Sequence, residues 1–569
     1  MNMPRPLRFT MSMAVLALLP LAAAAQPAHL PQPVHRRVAA APDPGVIASS
    51  ELELATDWTA LNAALTRLRS ASTVSSAQKA QADRLRAEAT QLQDAGHGGE
   101  AQRAMRHAAV LLSGATWDAN AEYAASLDLQ LPVLVADTAV PLTARLTQRF
   151  AADPPAAPLR IELVLVGSDG STRLSFGFDV PARDLVAEPL ALDLDVRGLA
   201  TGRYTVRALL QSDATELGRY ARPLLLVSGL GERAAAAEAA LAGDNRSSTL
   251  LATVRYPYEL ARALNGWRRS LPPDLDLEGA LQRSDQLLGQ LRAGQDAATR
   301  AVGDQQRAYW SAASGEYLPY RLYVPSNWDR RQPLAVALVL HGEGEAPGAW
   351  LTALQAERIR AVADKAQVIL LFPSGVRPDL AFGANVGRRG TERGDLRFDL
   401  RADARALSEQ DAMAVLDQVL AEYGADARRV YLFGSGNGGA GVWHLAERYP
   451  GRFAALAPCS STLDLSGYDF SRLAGVPVRI VSGARDNDFR REQARSALSQ
   501  LRALRAGIVS AYEVGNAMHP DACYAKAADL LSGFARLPVK TTAARAAAAA
   551  RSDADASPPA AARAAPGSR

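Results

Sequence analysis

Val430-Tyr-Leu-Phe-Gly-Ser-Gly-Asn-Gly-Gly439 decides the reading of this chain. Four apolar or aromatic residues in a row suit a strand buried on both faces. The small residues that follow stop the strand, and Trp443-His444-Leu445-Ala446 resumes with helical composition. A strand, a tight small-residue turn and a helix therefore lie within about twenty residues. The same alternation extends on both sides. Upstream, Val336 to Leu340 and Val368 to Phe372 are short apolar runs, and a helix is expected from about Glu409 to Tyr423, with Met413, Leu416 and Leu420 on one face. Downstream, Pro477 to Val481 and Ile508 to Val514 are strands, each next to a helical stretch. Apolar strands between amphipathic helices imply a doubly wound, mostly parallel sheet covered on both faces.

The rest of the chain is organised differently. A length of 569 residues suggests three or four domains. Apolar residues make up 48%, enough for large cores, and a net charge of +4 with interspersed signs gives no footprint for nucleic acid. Residues 1–25 read as a signal peptide: Arg5 and Arg8, then an apolar core from Met11 to Ala22, then Ala23-Ala24-Ala25 before Gln26. The apolar run is too short for a bilayer span. The mature protein is expected to be periplasmic or secreted, with no membrane span.

Residues 26–46 read as a Pro- and Ala-rich linker. In 47–127, Leu52 or Leu54, then Trp58, Leu61, Leu65 and Leu68 recur at helical spacing, and further helices are expected near 76–94 and 99–113. Residues 128–228 alternate with period two, as in Leu159, Ile161, Leu163 and Leu165, or Leu192, Leu194 and Val196. Turn signals at 167–170 and at Thr201-Gly202 separate these runs, which predicts an Ig-like β-sandwich. Residues 229–304 return to helical composition, interrupted by Pro272-Pro273. Residues 538–569 are Ala, Arg, Pro and Ser with few large apolar side chains and are expected to be disordered.

Residues 305–537 resemble a known family, the secreted α/β-hydrolases of the polyhydroxybutyrate depolymerase, feruloyl esterase and prolyl-oligopeptidase-like esterase type. The likeness rests on Gly315-Glu-Tyr-Leu-Pro-Tyr-Arg-Leu-Tyr-Val-Pro325 for the opening strands and Leu340-His341-Gly342-Glu343-Gly344 for the oxyanion loop. It continues through the 430–439 stretch for the nucleophile elbow, and Trp443 to Ala446 and Phe453-Ala-Ala-Leu-Ala-Pro458 beyond it. The resemblance implies a nucleophile, an acid and a base in that chain order. Asp486 falls at the acid, with Asp488 in reserve, and His519 at the base. His341, Gly342, Glu343 and Asn437 fall on the oxyanion loop and its partner amide. His341 is expected to be structural and His444 to be a packing residue.

The family's Ser falls on Gly436, one residue after Ser435. A register slip that made Ser435 the nucleophile would put Phe433 and Asn437 where the turn needs small residues. The leading expectation is a non-hydrolytic or weakly active esterase descendant that binds an ester, a glycan or a protein. The alternative is an active secreted serine hydrolase using Ser435, or an activated water, with His519 and Asp486. A third reading makes every module an interaction surface. Glu343 and Glu345 would oppose an oxyanion unless they point away as exposed loop charges. Cys459 and Cys523 fall at one edge of the implied sheet and are expected to form a disulfide; neither occupies an elbow. Trp350 and Trp443 are expected to be packing residues. No phosphate loop, HExxH or Cys/His cluster occurs, so neither metal nor nucleotide cofactor is expected.

Overall fold

The computed structural model describes residues 36–37, 58–183, 185–186, 188–213, 215–242, 248–266, 275–295, 300–353, 355–376, 378–386, 402–504 and 508–539. The stretch expected to be a signal peptide, the expected linker apart from Arg36 and Arg37, Leu52, Leu54, Pro272-Pro273 and all but the first residues of the C-terminal tail lie outside these. The chain is a multidomain α/β protein, with mixed sheets and helices.

Three helices open the described chain: α1 (Trp58–Ala71), α2 (Ser76–Asp94) and α3 (Gly98–Leu112). Leu61, Leu65, Ala82, Ala89, Met105 and Leu112 bury one shared apolar stripe between them. After α4 (Ala119–Ser126) the period changes to two.

A three-stranded sheet, β2-β4-β7 (Leu127–Gln130, Leu142–Gln148, Leu190–Leu194), faces a six-stranded sheet. The larger sheet runs in the order β1-β6-β5-β8-β9-β3, using Arg36–Arg37, Thr172–Val180, Leu159–Gly167, Gly202–Ser212, Thr215–Val227 and Val135–Asp137. Alternate side chains of the two sheets share one core: Leu142, Ala144 and Leu146 enter it from the smaller sheet, and Ile161, Leu163, Val206 and Leu224 from the larger. Helices α5 (Leu230–Leu241), α6 (Ser248–Asn265) and α7 (Leu277–Arg292) pack a core that includes Val135, Leu225 and Val227. They are therefore built onto the sheet edge. The Ala308 amide donates to Thr253 Oγ1 at 3.1 Å, which ties α6 to the next sheet.

That sheet has eight strands in the order β10-β11-β13-β12-β14-β15-β16-β17. In chain order they are Gly303–Ser311, Glu316–Val324, Ala335–Leu340, Val368–Pro373, Val430–Ser435, Ala455–Cys459, Val478–Gly483 and Val509–Val514. The first two strands are antiparallel to their neighbours and the rest are parallel. The apolar runs supply both faces. Val336, Leu338 and Leu340 enter a core with α9 (Ala402–Tyr423) and α10 (Asn437–Arg448). Ala335, Ala337 and Val339 enter another with α8 (Ala356–Ala366) and α12 (Asp521–Ala535). Helix α11 (Asp488–Ala503) lies between β16 and β17 in the chain. The helix expected from Glu409 begins a full turn and more earlier, at Ala402.

The order of the strands fixes where a site can form. From β12 the chain steps back to β13 and then forward to β14, so the direction of winding reverses beside β12. In open α/β sheets, clefts open at the carboxyl ends of strands at such a reversal. The loops after β12 and β14 meet there.

Asp411 on α9 braces this region. Its carboxylate accepts hydrogen bonds from the Tyr309 hydroxyl (2.7 Å) and the Gly375 amide (2.8 Å) while almost fully buried. Burial pushes its pKa up from 3.8 to about 6, more than these bonds lower it. Such a rise costs the native state on the order of 3 kcal/mol at neutral pH. The folded state holds the proton more tightly, so this group's contribution to stability falls as pH rises from 3.8 to about 6. Asp411→Asn is expected to flatten that part of a denaturant-midpoint profile against pH; an unchanged slope would contradict the assignment.

Candidate functional site

One residue, Gly436, separates β14 from α10, and its backbone is at φ 53°, ψ −112°. This region is rarely open to residues with a Cβ. The turn is crowded on both sides. A Cβ on Gly434 would lie 2.1 Å from the Gly438 carbonyl oxygen, and one on Gly438 would lie 2.2 Å from that of Leu340. The strand can enter the helix this sharply only because these positions lack side chains. The Gly436 amide donates to the Cys459 carbonyl at 3.0 Å, which pins the turn to β15.

His519 sits between β17 and α12, with its side chain only 9% exposed. Asp486, in the loop after β16, reaches it through the main chain: the His519 amide donates to Asp486 Oδ1 at 2.8 Å. The other carboxylate oxygen accepts from Ser460 Oγ (2.6 Å) and the Gly483 amide (2.8 Å). Asp486 therefore fixes the loop that carries His519, and the ring has a different partner. His519 Nε2 lies 2.9 Å from Glu345 Oε1, a close contact set off the line of an aligned hydrogen bond. Asp488, the reserve acid, is almost wholly exposed and pairs with Arg491.

Of the two alternatives open for the glutamates of the 341–348 loop, the structure shows the inward one. Glu345 is 6% exposed. Its Oε1 accepts from Ser435 Oγ at 2.7 Å and its Oε2 from the Tyr524 hydroxyl at 3.0 Å. Gly342 makes this possible, because a Cβ there would stand 2.5 Å from Glu345 Oε1 and 2.7 Å from His519 Nε2. Glu343 Oε2 accepts from the Asn437 amide at 3.0 Å, and its other oxygen pairs with the Arg490 guanidinium. Two carboxylates thus crowd the turn: Glu343 lies against Gly436 and the Asn437 amide, and Glu345 between Ser435 and His519.

Burial would raise the Glu345 pKa. Its close contact with the His519 ring and the hydrogen bonds from Ser435 and Tyr524 outweigh it, and the carboxyl is held below its ordinary 4.5. With the folded pKa depressed, its stabilisation is fully present above 4.5 and is lost as pH falls through the folded value. Glu345→Gln is expected to lower stability near neutral pH by about 1–2 kcal/mol and to lose less on acidification below about pH 4.5. Parallel thermal-midpoint curves for the two proteins across that range would contradict this.

The remaining residues singled out in the sequence fall as follows. Both ring nitrogens of buried His341 lie 3.0 Å from carbonyl oxygens, of Gly342 and Ser374, so the side chain anchors its own loop. His444 does more than pack: its Nε2 lies 2.6 Å from Glu409 Oε2, and the Tyr449 hydroxyl donates to the same carboxylate at 2.6 Å. This joins α10 to α9. Asn437 is fully buried; its Oδ1 accepts from Thr462 Oγ1 at 2.8 Å, while its Nδ2 has no partner among the described residues. Cys459 and Cys523 are joined by a disulfide. Trp350 and Trp443 are buried among aromatic side chains.

Sequence reasoning missed Arg490 and Tyr524. Both lie in the first turn of helices that follow singled-out loops, α11 after Asp486 and α12 after His519. That adjacency was the only available signal.

No protein-family model matches the chain. A bifunctional acetylxylan esterase/xylanase of Neocallimastix patriciarum is 26% identical over 181 residues, covering 32% of this chain and 23% of that protein. The chain thus spans under a quarter of the length of this curated relative. Among solved structures, the fluorophosphonate-binding serine hydrolase F of Staphylococcus aureus is 14% identical, with a TM-score of 0.32, covering 41% of this chain and 99% of that one. The S-formylglutathione hydrolase of Agrobacterium tumefaciens is 15% identical, with a TM-score of 0.32, covering 41% and 96%. Candidate membrane-spanning helices and metal-binding clusters are both absent among the described residues.

Proposed function

We propose that residues 305–537 form an α/β-hydrolase domain of esterase type that no longer hydrolyses its ligand, because Gly436 stands at the nucleophile position. One observation carries this reading. Gly436 holds the positive-φ centre of the strand–helix turn, and a Cβ built there would lie 2.6 Å from His519 Nε2. His519 therefore stands directly against this position, closer than a side chain there would allow without a shift. In a Ser triad of another hydrolase, losing the nucleophile costs turnover on the order of a millionfold. The occupancy of the Asn437 amide by Glu343 supports the same conclusion. That amide follows the nucleophile position, and in this fold such an amide receives the developing oxyanion.

The second reading, an active serine hydrolase on Ser435, is favoured by one contact. Ser435 Oγ donates to Glu345, a carboxylate able to act as its base. Against it, Ser435 is 3% exposed, and Glu345 stands between it and His519. Hydrolysis of p-nitrophenyl acetate by the full chain and by Ser435→Ala separates the two. The first reading expects the same low rate from both, within the residual 10³–10⁴-fold over water that positioning alone can give. Loss of activity in Ser435→Ala would establish the second.

The wider organisation is proposed on the same terms. The chain is exported, a setting that the Cys459–Cys523 disulfide suits. The two facing sheets form a β-sandwich module between helical regions. The ligand is an acylated compound or its parts, in keeping with the esterase activity in the curated relative's name.

A further inference from the structure

The carboxyl ends of β12, β14, β16 and β17 present an unusual set of groups. The Asn437 amide, the Arg490 guanidinium, the Ser435 and Tyr524 hydroxyls and the His519 ring all converge, and each of them meets a carboxylate. Hydrogen-bond donors and positive charge at this density specify an anion, and the fork of an arginine beside a backbone N–H fits a carboxylate in particular. We propose that this end of the sheet is a carboxylate-binding site in which Glu343 is the resident ligand, and that an incoming carboxylate takes its place on the Asn437 amide and the Arg490 guanidinium. The proposal rests on the reading of the domain as a binding descendant of an esterase, and it names the group that is bound.

The two glutamates differ in how firmly they are held. Glu345 has three partners and almost no exposure, so it belongs to the permanent wall of the site. The Glu343 side chain is 34% exposed and can reach water without crossing the core. It lies between Gly342 and Gly344, and Gly344 and Gly348 both have positive φ, near 72° and 80°. A short stretch with this backbone freedom can swing its side chain outward at little cost.

Charge decides what may enter. Arg490 is largely buried, its side chain 14% exposed, and Glu343 is its one ion-pair partner among the described residues, so it would lose that partner if Glu343 departed alone. A neutral ester in Glu343's place leaves that charge uncompensated, which costs several kcal/mol in a buried setting. A carboxylate restores the pairing and accepts the Asn437 N–H as well. The site therefore selects free acids over their esters, the reverse of what an esterase needs from its substrate.

The test is a calorimetric titration of the full chain with acetate at constant ionic strength, with chloride and methyl acetate as controls. Acetate should bind saturably to the wild-type chain and about tenfold more tightly to Glu343→Ala, where no resident carboxylate competes. Binding should vanish in Glu343→Ala combined with Arg490→Ala, and neither control should bind. If Glu343→Ala fails to fold, Glu343→Gln removes the charge, keeps the shape and should show the same tightening. Acetate that behaves as chloride does in the Glu343 variants overturns the proposal. So does tight acetate binding by the variants with none by the wild-type chain, since Glu343 would then be a permanent plug. Ester turnover by the wild-type chain would overturn the non-hydrolytic reading and leave acetate binding as a separate result.

Discussion

Gly436→Ser alone is expected to leave the full chain as inert toward p-nitrophenyl acetate as the parent, while Gly436→Ser with Glu343→Ala and Glu345→Ala should raise turnover about a hundredfold. The single substitution places a Cβ 2.5 Å from Glu343 Oε2 and 2.6 Å from His519 Nε2, on a backbone at φ 53°. The glutamate tip can move; the histidine is enclosed. Even with the hydroxyl seated, Glu343 would hold the Asn437 amide and Glu345 would hold the His519 ring. Removing both carboxylates frees the amide for an oxyanion and the ring for the hydroxyl. The gain stops well short of the roughly millionfold loss, because Asp486 meets the His519 amide and not its ring. An unoriented histidine in a serine triad costs on the order of 10⁴. Initial rates for the parent, the single variant and the triple variant decide the matter. A gain from Gly436→Ser alone as large as that of the triple variant would show that the glutamates do not block the site.

The second large effect concerns the frame of the turn. Gly438→Ala should destabilise the full chain by on the order of 4 kcal/mol, read as a shift in denaturant midpoint. The new Cβ would stand 2.2 Å from the Leu340 carbonyl oxygen and 2.6 Å from that of His341. Those atoms belong to the central strand β12 and the loop leaving it, so no side-chain rotation relieves the overlap. Either α10 moves away from the sheet or β12 bends, and each breaks buried packing on both sides. Gly467→Ala is the matched control: a Cβ there meets no atom within 4 Å, and its shift should stay within about 1 kcal/mol. Equal midpoints for the two variants would mean that the close approach of α10 to β12 is misplaced.

Much of this was legible in the sequence, for stated reasons. The strands of the C-terminal sheet announce themselves because apolar runs such as Ala335–Leu340 serve two cores at once and leave no polar position. Upstream strands such as Leu190–Leu194 were visible as period-two alternation, since one face is buried and the other exposed. The turn was visible as spaced small residues, because only they permit the contacts of Gly434 and Gly438. What the sequence could not supply was direction. Glu343 and Glu345 have the composition of exposed loop charges, and only the three-dimensional meeting of β12, β14 and β17 turns them toward Asn437, Ser435 and His519. Asp486 lies in the loop after Val478–Gly483, as its place in the sequence suggests, yet no spacing encodes whether it holds the ring or the amide of His519. Arg490 and Tyr524 carry no motif of their own and matter only because of what they face.

The most direct test of the central claim is covalent labelling of the full chain with a fluorophosphonate, read by intact mass and by peptide mapping. No adduct is expected on the wild-type chain, and a single adduct at the introduced hydroxyl is expected when Gly436→Ser is combined with Glu343→Ala and Glu345→Ala. Stoichiometric labelling of Ser435 in the wild-type chain would contradict it, and would make this protein a working serine hydrolase.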